Sequence, residues 1–448
     1  MSSDSPLVGI IGAGLAGSEA ALVLARHGIR VELFEMRPQT TTPAHKTGLP
    51  AELVCSNSLK SNDLPSAQAL LKKELFLCNS PLLQCALETS VPAGSALAVD
   101  RIKFSTKVLQ AFRAHPSITL RTGELSKPRE GHAYDIISAG PLASGALVQW
   151  LIETFSADSL QFYDAIAPII SLDSIDTKTA FYSSRWKPDE PDYLNCPFTE
   201  EEYNRFYAEL VAADTSIVRD FEDERFFEAC LPLEIIARRG QRSMAFGPLK
   251  PVGFIDHRTG KRPYALCQLR RENSDGDSFS MVGFQTRLTI PFQQKVFRLI
   301  PGLENARFLR FGSCHRNTYL DSPKLLSSDL SFKKNETFFL AGQLCGNEGY
   351  TESIATGHLA ALFIRARLHG HGRFLEPPPA TTACGALLRH VTASEVRPFS
   401  PSSFHFGLLP VLSQTGKKRM GKREKHELLC QRALHDFEQW SENIDLSH

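Results

Sequence analysis

The sequence has no pair of cysteines in C-x-x-C spacing, although it has ten cysteines, at positions 55, 78, 85, 196, 230, 267, 314, 345, 384 and 430. Unpaired spacing of this kind excludes a zinc ribbon, and a chain of 448 residues needs no disulfide framework to hold a core. The expectation is a reduced, cytoplasmic protein without a metal site. Net charge is also nearly absent, with 50 Lys and Arg against 49 Asp and Glu. Any nucleic-acid partner would have to be held by a local basic patch. No long apolar run occurs. The most apolar stretch, Leu7–Ala25, is broken by Ser18 and Glu19 and carries four glycines, so no membrane span is expected. The opening MSSDSPLV has no basic segment and does not read as a secretory signal. Internal repeats and low-complexity tracts are missing too. What remains is an ordinary folded composition, 42% hydrophobic and 22% charged, long enough for two or three domains.

The most informative stretch is LVGIIGAGLAGSEAALVLARHGIRVELFE, from Leu7 to Glu35. Leu7–Ile11 has strand character. Gly12, Gly14 and Gly17 follow in G-x-G-x-x-G register, interleaved with Ala13, Leu15 and Ala16. Helical periodicity over Ser18–His27 ends at Gly28, a C-cap, and Ile29–Phe34 is a second strand ending in Glu35. The chemistry fits a dinucleotide. Gly12 permits the tight turn, Gly14 lets the backbone approach a pyrophosphate, and Gly17 lets helix and strand pack closely. The helix N-terminus favours the anion, and Glu35 is placed to accept from a ribose hydroxyl. These residues leave FAD and NAD both open.

Further along, YDIISAGPLAS (134–144) follows the pattern of a returning βαβ unit. TFFLAGQLCGNEGYTESIATGHLAALFIRARL (337–368) reads as strand, glycine turn and helix. The expected fold class is α/β: a two-part, discontinuous Rossmann-like nucleotide-binding domain with an inserted α+β domain. The expected boundaries are 1–150 and 326–375 for its two parts, 151–325 for the insertion, and 376–448 for a basic C-terminal segment. That segment is expected to end in an amphipathic helix around Glu427–Trp440.

One stretch does not fit a purely structural role. In PAELVCSNSLKSNDL (50–64), Cys55 sits among Ser56, Asn57, Ser58, Lys60 and Asn62, whereas inert buried cysteines keep apolar company. Its string ELVCSNSLKSN belongs to a longer set: GAGLAGSEAA, FEMRP, TPAHKT, SVPAGSALAVDR, FYDAIAPII, FFEACLP, FGPLKPVG, VGFQTRL, RLIPGLENA, HRNTYLDSPKLL and AGQLCGNEGYTES. Through these strings the chain resembles, over nearly its whole length, the folate- and FAD-dependent uracil-5-methyltransferases that act on tRNA. It departs from them in carrying Cys314 and Cys345 close to the expected site.

The resemblance implies FAD as cofactor, 5,10-methylenetetrahydrofolate as one-carbon donor, NADPH or NADH as reductant, and 5-methyluridine in the tRNA T loop as product. It also implies that Cys55 and Cys230 are both catalytic. C5 of uracil is a weak nucleophile until a thiolate adds at C6, so an activated cysteine is required. We expect Cys230 to attack C6 and Cys55 to assist proton transfer at C5, the reverse assignment being the alternative. Gly342, Glu348 and Tyr350 are expected beside the flavin, and His315, Arg316 and Asn317 toward the pterin and RNA. Phosphate contacts would come from Arg238/Arg239/Arg242, Arg270/Arg271, Arg307/Arg310/Arg316 and Lys417/Lys418/Arg419/Lys422/Arg423. Because the reacting base must leave its stack, the RNA is expected to present an extruded uridine. The competing readings are the same chemistry on ribosomal RNA, a small-molecule FAD oxidoreductase with no RNA substrate, and a non-catalytic flavin-containing RNA-binding protein.

Overall fold

The computed structural model describes residues 6–186, 191–215, 231–369, 375–412, 421–442 and 444. The first strand, Leu7–Ile11, lies inside a six-stranded sheet. Its order is Ser331–Phe332, Asn335–Leu340, Tyr134–Ile137, Leu7–Ile11, Arg30–Glu35, Ile118–Thr122. All pairings are parallel except the edge hairpin 331–340. Strands from both ends of the sequence therefore share one sheet.

The glycine turn leads into helix Leu15–Arg26, which begins three residues before the expected Ser18. The expected start was late because glycine normally argues against a helix interior. Here Gly17 lies within the first turn because any Cβ there would collide with the Gly12 carbonyl. The helix stops where Gly28, at φ +72°, sends its N–H back to Ala25 O (3.0 Å) while Ile29 N–H reaches Leu24 O (3.2 Å). Eleven of its residues are buried, because it is sandwiched between the sheet and the long helix Tyr350–His369. The two helices approach so closely that a Cβ on Gly357 would strike the Ala16 carbonyl. Between them Glu19 accepts from Leu82 N–H (2.9 Å) and pairs with His358 Nδ1 (2.7 Å).

The second core lies on a six-stranded antiparallel sheet, in the order Phe181–Tyr182, Tyr193–Phe198, Ala265–Arg271, Ser278–Met281, Ile169–Ser171, Phe308–Arg310. Helices Glu200–Ala212 and Ile290–Phe297 bury Phe206, Leu210, Val296 and Phe297 against it. A two-stranded antiparallel ribbon, Ser159–Ile166 with Ser313–Leu320, carries the chain into and out of this unit. After residue 375, helices Ala383–Ala393 and Lys422–Glu442 return to the first core. The latter buries Leu429, Cys430, Ala433, Phe437 and Trp440 along one stripe.

Polar contacts fix the two cores to each other beside Cys55. Arg101 makes a two-pronged contact with Glu272 (2.7 and 3.2 Å) and donates to the carbonyls of Leu53 and Val54. Arg270 reaches Asn57 and Ser56 (both 2.8 Å), and Tyr193 OH reaches Ala93 O (2.9 Å).

Candidate active site

A cavity runs from the glycine turn to the interface of the two cores. Gly12, Gly14, Leu15, Ala16 and Glu35 line one end. Cys55, Tyr350, Asp164, His315 and Asn317 line the other, with Gly342 between them. At the first end Gly12 holds φ +99°, and a Cβ there would come within 2.6 Å of the Ser138 carbonyl. Gly14 is different: a Cβ there would meet nothing within 4 Å, so the space over the helix N-terminus is open for a ligand. Glu35 accepts from Ala13 N–H (3.0 Å) and from the Arg37 backbone and Nε (3.1 and 2.9 Å). Burial opposes its ionisation, but the Arg37 contacts and the Ala13 N–H prevail and hold its carboxyl below the usual range. Arg37 is itself clamped by Glu52 (3.0 Å). Neither Arg37 nor Glu52 was singled out from the sequence, although FEMRP and PAELV contain them.

At the other end, the turn Gly342–Gly349 sets Tyr350 at the start of its helix, with the phenol against Cys55. Tyr350 OH accepts from the N–H groups of Cys55 (2.9 Å) and Ser56 (3.2 Å) and lies 3.1 Å from Cys55 Sγ. The polar neighbours that drew attention to Cys55 are engaged elsewhere. Asn57 donates to Val99 O and Arg271 O, Ser56 accepts from Arg270, and Lys60 reaches Ser403. The thiol is not activated by them. Burial first, and then the Asp164 carboxylate, push it up, against the pull of Tyr350 and Arg101.

Asp164 reaches the cavity because the ribbon pairs it with His315, while Asn317 Nδ2 donates to its Oδ2 (3.1 Å). The strand pleat puts His315 and Asn317 on the cavity face and leaves Arg316 exposed on the opposite one. Burial, with Arg310 and Lys46 nearby, holds the His315 imidazole toward its neutral form. Glu348 is buried; that burial and the Asp164 charge raise its carboxyl to about 9, against the pull of Lys60. Cys345 serves the turn: its thiol donates to Gly342 O (3.0 Å), accepts from Asn347, and burial pushes it to about 12. Nothing local in the sequence marks Asp164 or Arg101: Asp164 is brought here by long-range strand pairing, and Arg101 by its contacts to Glu272 and the Leu53 and Val54 carbonyls. Cys230 lies outside the described residues, as do Lys417, Lys418 and Arg419. Among the described residues no helix is long and apolar enough to cross a membrane, and no cluster of three metal-ligating side chains occurs.

The methylenetetrahydrofolate–tRNA-(uracil-5-)-methyltransferase TrmFO of Desulfitobacterium hafniense is 49% identical to this chain, over 97% of this chain and 99% of that protein. The enzyme of the same name from Koribacter versatilis is 47% identical, over 96% and 97%. The chain belongs to this methyltransferase family. Residues 7–372 also match the glucose inhibited division protein A family. Among solved structures, Aquifex aeolicus GidA superimposes with a TM-score of 0.69 at 15% identity, covering 100% of this chain and 75% of that one. That likeness concerns the fold, and the fold class observed is the α/β arrangement that the glycine turn and its flanking strands predict.

Proposed function

We propose that this protein methylates C5 of a uridine in tRNA, with FAD as cofactor, 5,10-methylenetetrahydrofolate as one-carbon donor and NADPH or NADH as reductant. The observation that carries the reading is the single cavity joining the Gly12–Gly17 turn to Cys55, Tyr350 and His315. Family membership supplies the substrate class.

The residues present fit the cofactor. The open space over Gly14 and the start of helix Leu15–Arg26 suit a pyrophosphate. Glu35, ionised and with lone pairs to spare, suits ribose hydroxyls. Gly342 and Tyr350, which line the cavity, would border the ring system, with the buried Glu348 behind them. When bound, the flavin supplies the electrons that reduce the transferred methylene to methyl.

The protein's own work is to make C5 nucleophilic and to move its proton. Thiolate addition at C6 generates an enolate whose C5 forms the new bond to the one-carbon unit; loss of the C5 proton then expels the folate nitrogen, and after reduction of the methylene, expulsion of the thiolate restores the pyrimidine. Burial and Asp164 keep Cys55 a thiol at rest. This favours Cys230 as the attacking sulfur and leaves the C5 proton to Cys55. Cys55 must shed its own proton before taking that one, and the Tyr350 hydroxyl at 3.1 Å holds its sulfur in place. His315, neutral and on the cavity face, would stack on the pterin, and Asn317 would hold Asp164 in place. An extruded uridine in the T loop and a cytoplasmic location complete the proposal.

The test is incubation of the protein with 5,10-methylenetetrahydrofolate, NADPH and unmodified tRNA, with 5-methyluridine read by mass spectrometry. Wild type should make the product, and Cys230→Ala and Cys55→Ala should each lose it. If wild type makes none on tRNA, the proposal falls; if both variants match wild type, the assignment of the thiols falls alone.

A further inference from the structure

The second core carries a groove of its own, well away from the cavity, lined by Phe198, Arg242, Phe246, Lys250, Lys261 and Arg262, among others. Its four cations have no ion-pair partner among the described residues. Of the two carboxylates in its wall, Asp256 is taken by Arg258 (3.1 Å), which leaves only Glu200 to offset them. Apolar groups are exposed beside this charge: Phe246 is 68% exposed, Ile255 63% and Trp186 70%. Exposed apolar side chains scattered singly would mean little, but these stand together beside a charged groove, as at a contact surface. Arg242 lies over the Phe246 ring at 5.2 Å, and Trp186 packs beside Gly253, next to the groove residue Val252. Cations interleaved with exposed aromatic faces suit a polyanion whose units also carry flat rings.

The sheet register gives the distance to the reaction. Strands Tyr193–Phe198 and Ala265–Arg271 are paired from Tyr193–Arg270 to Phe198–Ala265. Arg270, at one end, bonds to Ser56 and Asn57 beside Cys55, and Phe198, at the other, lines the groove. The five steps between span about 17 Å at ~3.4 Å each. That is about five nucleotides along a stacked strand.

We propose that this groove docks the sugar-phosphate backbone of the RNA substrate some nucleotides away from the reacting uridine, with Phe246 and Trp186 receiving unstacked bases. The proposal rests on the RNA-methylation reading. Arg242, Lys250, Lys261 and Arg262 are positioning residues. They hold the RNA and touch neither cofactor nor reacting atoms.

The experiment compares wild type with the fourfold variant Arg242→Ala/Lys250→Ala/Lys261→Ala/Arg262→Ala and with Phe246→Ala/Trp186→Ala. Binding of an unmodified tRNA transcript is measured across a salt series, alongside methylation kinetics and bound flavin per protein. The fourfold variant should keep its flavin, lose about tenfold or more in tRNA affinity, and show a salt slope shallower by about 3, from four contacts at ~0.7–0.9 each. Its KM for tRNA should rise with kcat largely kept. The aromatic variant should lose affinity with its slope unchanged. Wild-type affinity and slope in the fourfold variant, while wild type methylates, overturns the groove proposal alone. Retained tRNA affinity with lost poly-glutamate binding would assign the groove to an acidic protein and overturn it too. A wild type that neither binds nor methylates tRNA would remove the functional reading, and this proposal with it.

Discussion

At the scale of single residues, the chemistry turns on how the protein sets two protons. Asp164 pushes the Cys55 thiol up and Tyr350 pulls it down, so substitutions at the two positions should act in opposite directions. Asp164→Asn should speed alkylation of Cys55 by iodoacetamide at pH 8 severalfold, and Tyr350→Phe should slow it, both read by peptide mass spectrometry. Movement in the same direction would dispose of the electrostatic account. Glu348 gives a pH prediction whose sign follows from linkage. Its folded value, about 9, lies above the ordinary 4.5. Between those values the folded state therefore holds more protons than the unfolded one. The stability contributed by the neutral acid is complete in acid and is lost as pH rises through that window. Glu348→Gln, permanently neutral, should gain in melting temperature over wild type steadily from pH 5 to pH 9; a constant difference would refute the assignment. Cys55 was legible in the sequence as an unusual thiol, but the reason given for it was not. The Ser, Asn and Lys around it serve backbone and interface contacts, and its true partner stands 295 positions away.

At the scale of elements, legibility followed locality. The strand Leu7–Ile11 and the termination at Gly28 are set by neighbouring residues and could be read directly. The same holds for the stripe along Lys422–Glu442. The ribbon could not be read, because its register depends on two segments about 150 residues apart, and neither alone shows that Asp164 will face His315. Helix Tyr350–His369 is buried nearly all round, so its pattern shows burial and not its partner. That partner is helix Leu15–Arg26, and the Glu19–His358 contact is the polar tie between them. His358→Ala leaves the Glu19 carboxylate short of one partner in a dry interior. It should cost about 1–3 kcal/mol in chemical denaturation, the penalty of a buried polar group left without a partner. Gly357→Ala should separate the same helices through its clash with the Ala16 carbonyl.

At the scale of the whole molecule, two separately packed cores meet at the Cys55 loop, and the Arg101–Glu272 pair is a two-pronged ionic link across that meeting. Both side chains are largely buried, so removing one strands the other. Arg101→Ala should destabilise by about 3 kcal/mol, and a double-mutant cycle with Glu272→Ala should return a coupling above about 1 kcal/mol. Coupling near zero would mean that the cores are held by apolar packing alone. The ribbon has a further bearing on chemistry. Alternate side chains along Ser313–Leu320 look to opposite sides, so excising one residue at its entrance, Cys314 for instance, would exchange the sides wholesale. The reaction chamber would then receive the Arg316 guanidinium in place of the His315 imidazole and the Thr318 hydroxyl in place of the Asn317 amide, and the same slip would turn Leu320 out of the first core, so that the chamber's chemistry and the core's packing are set by one register.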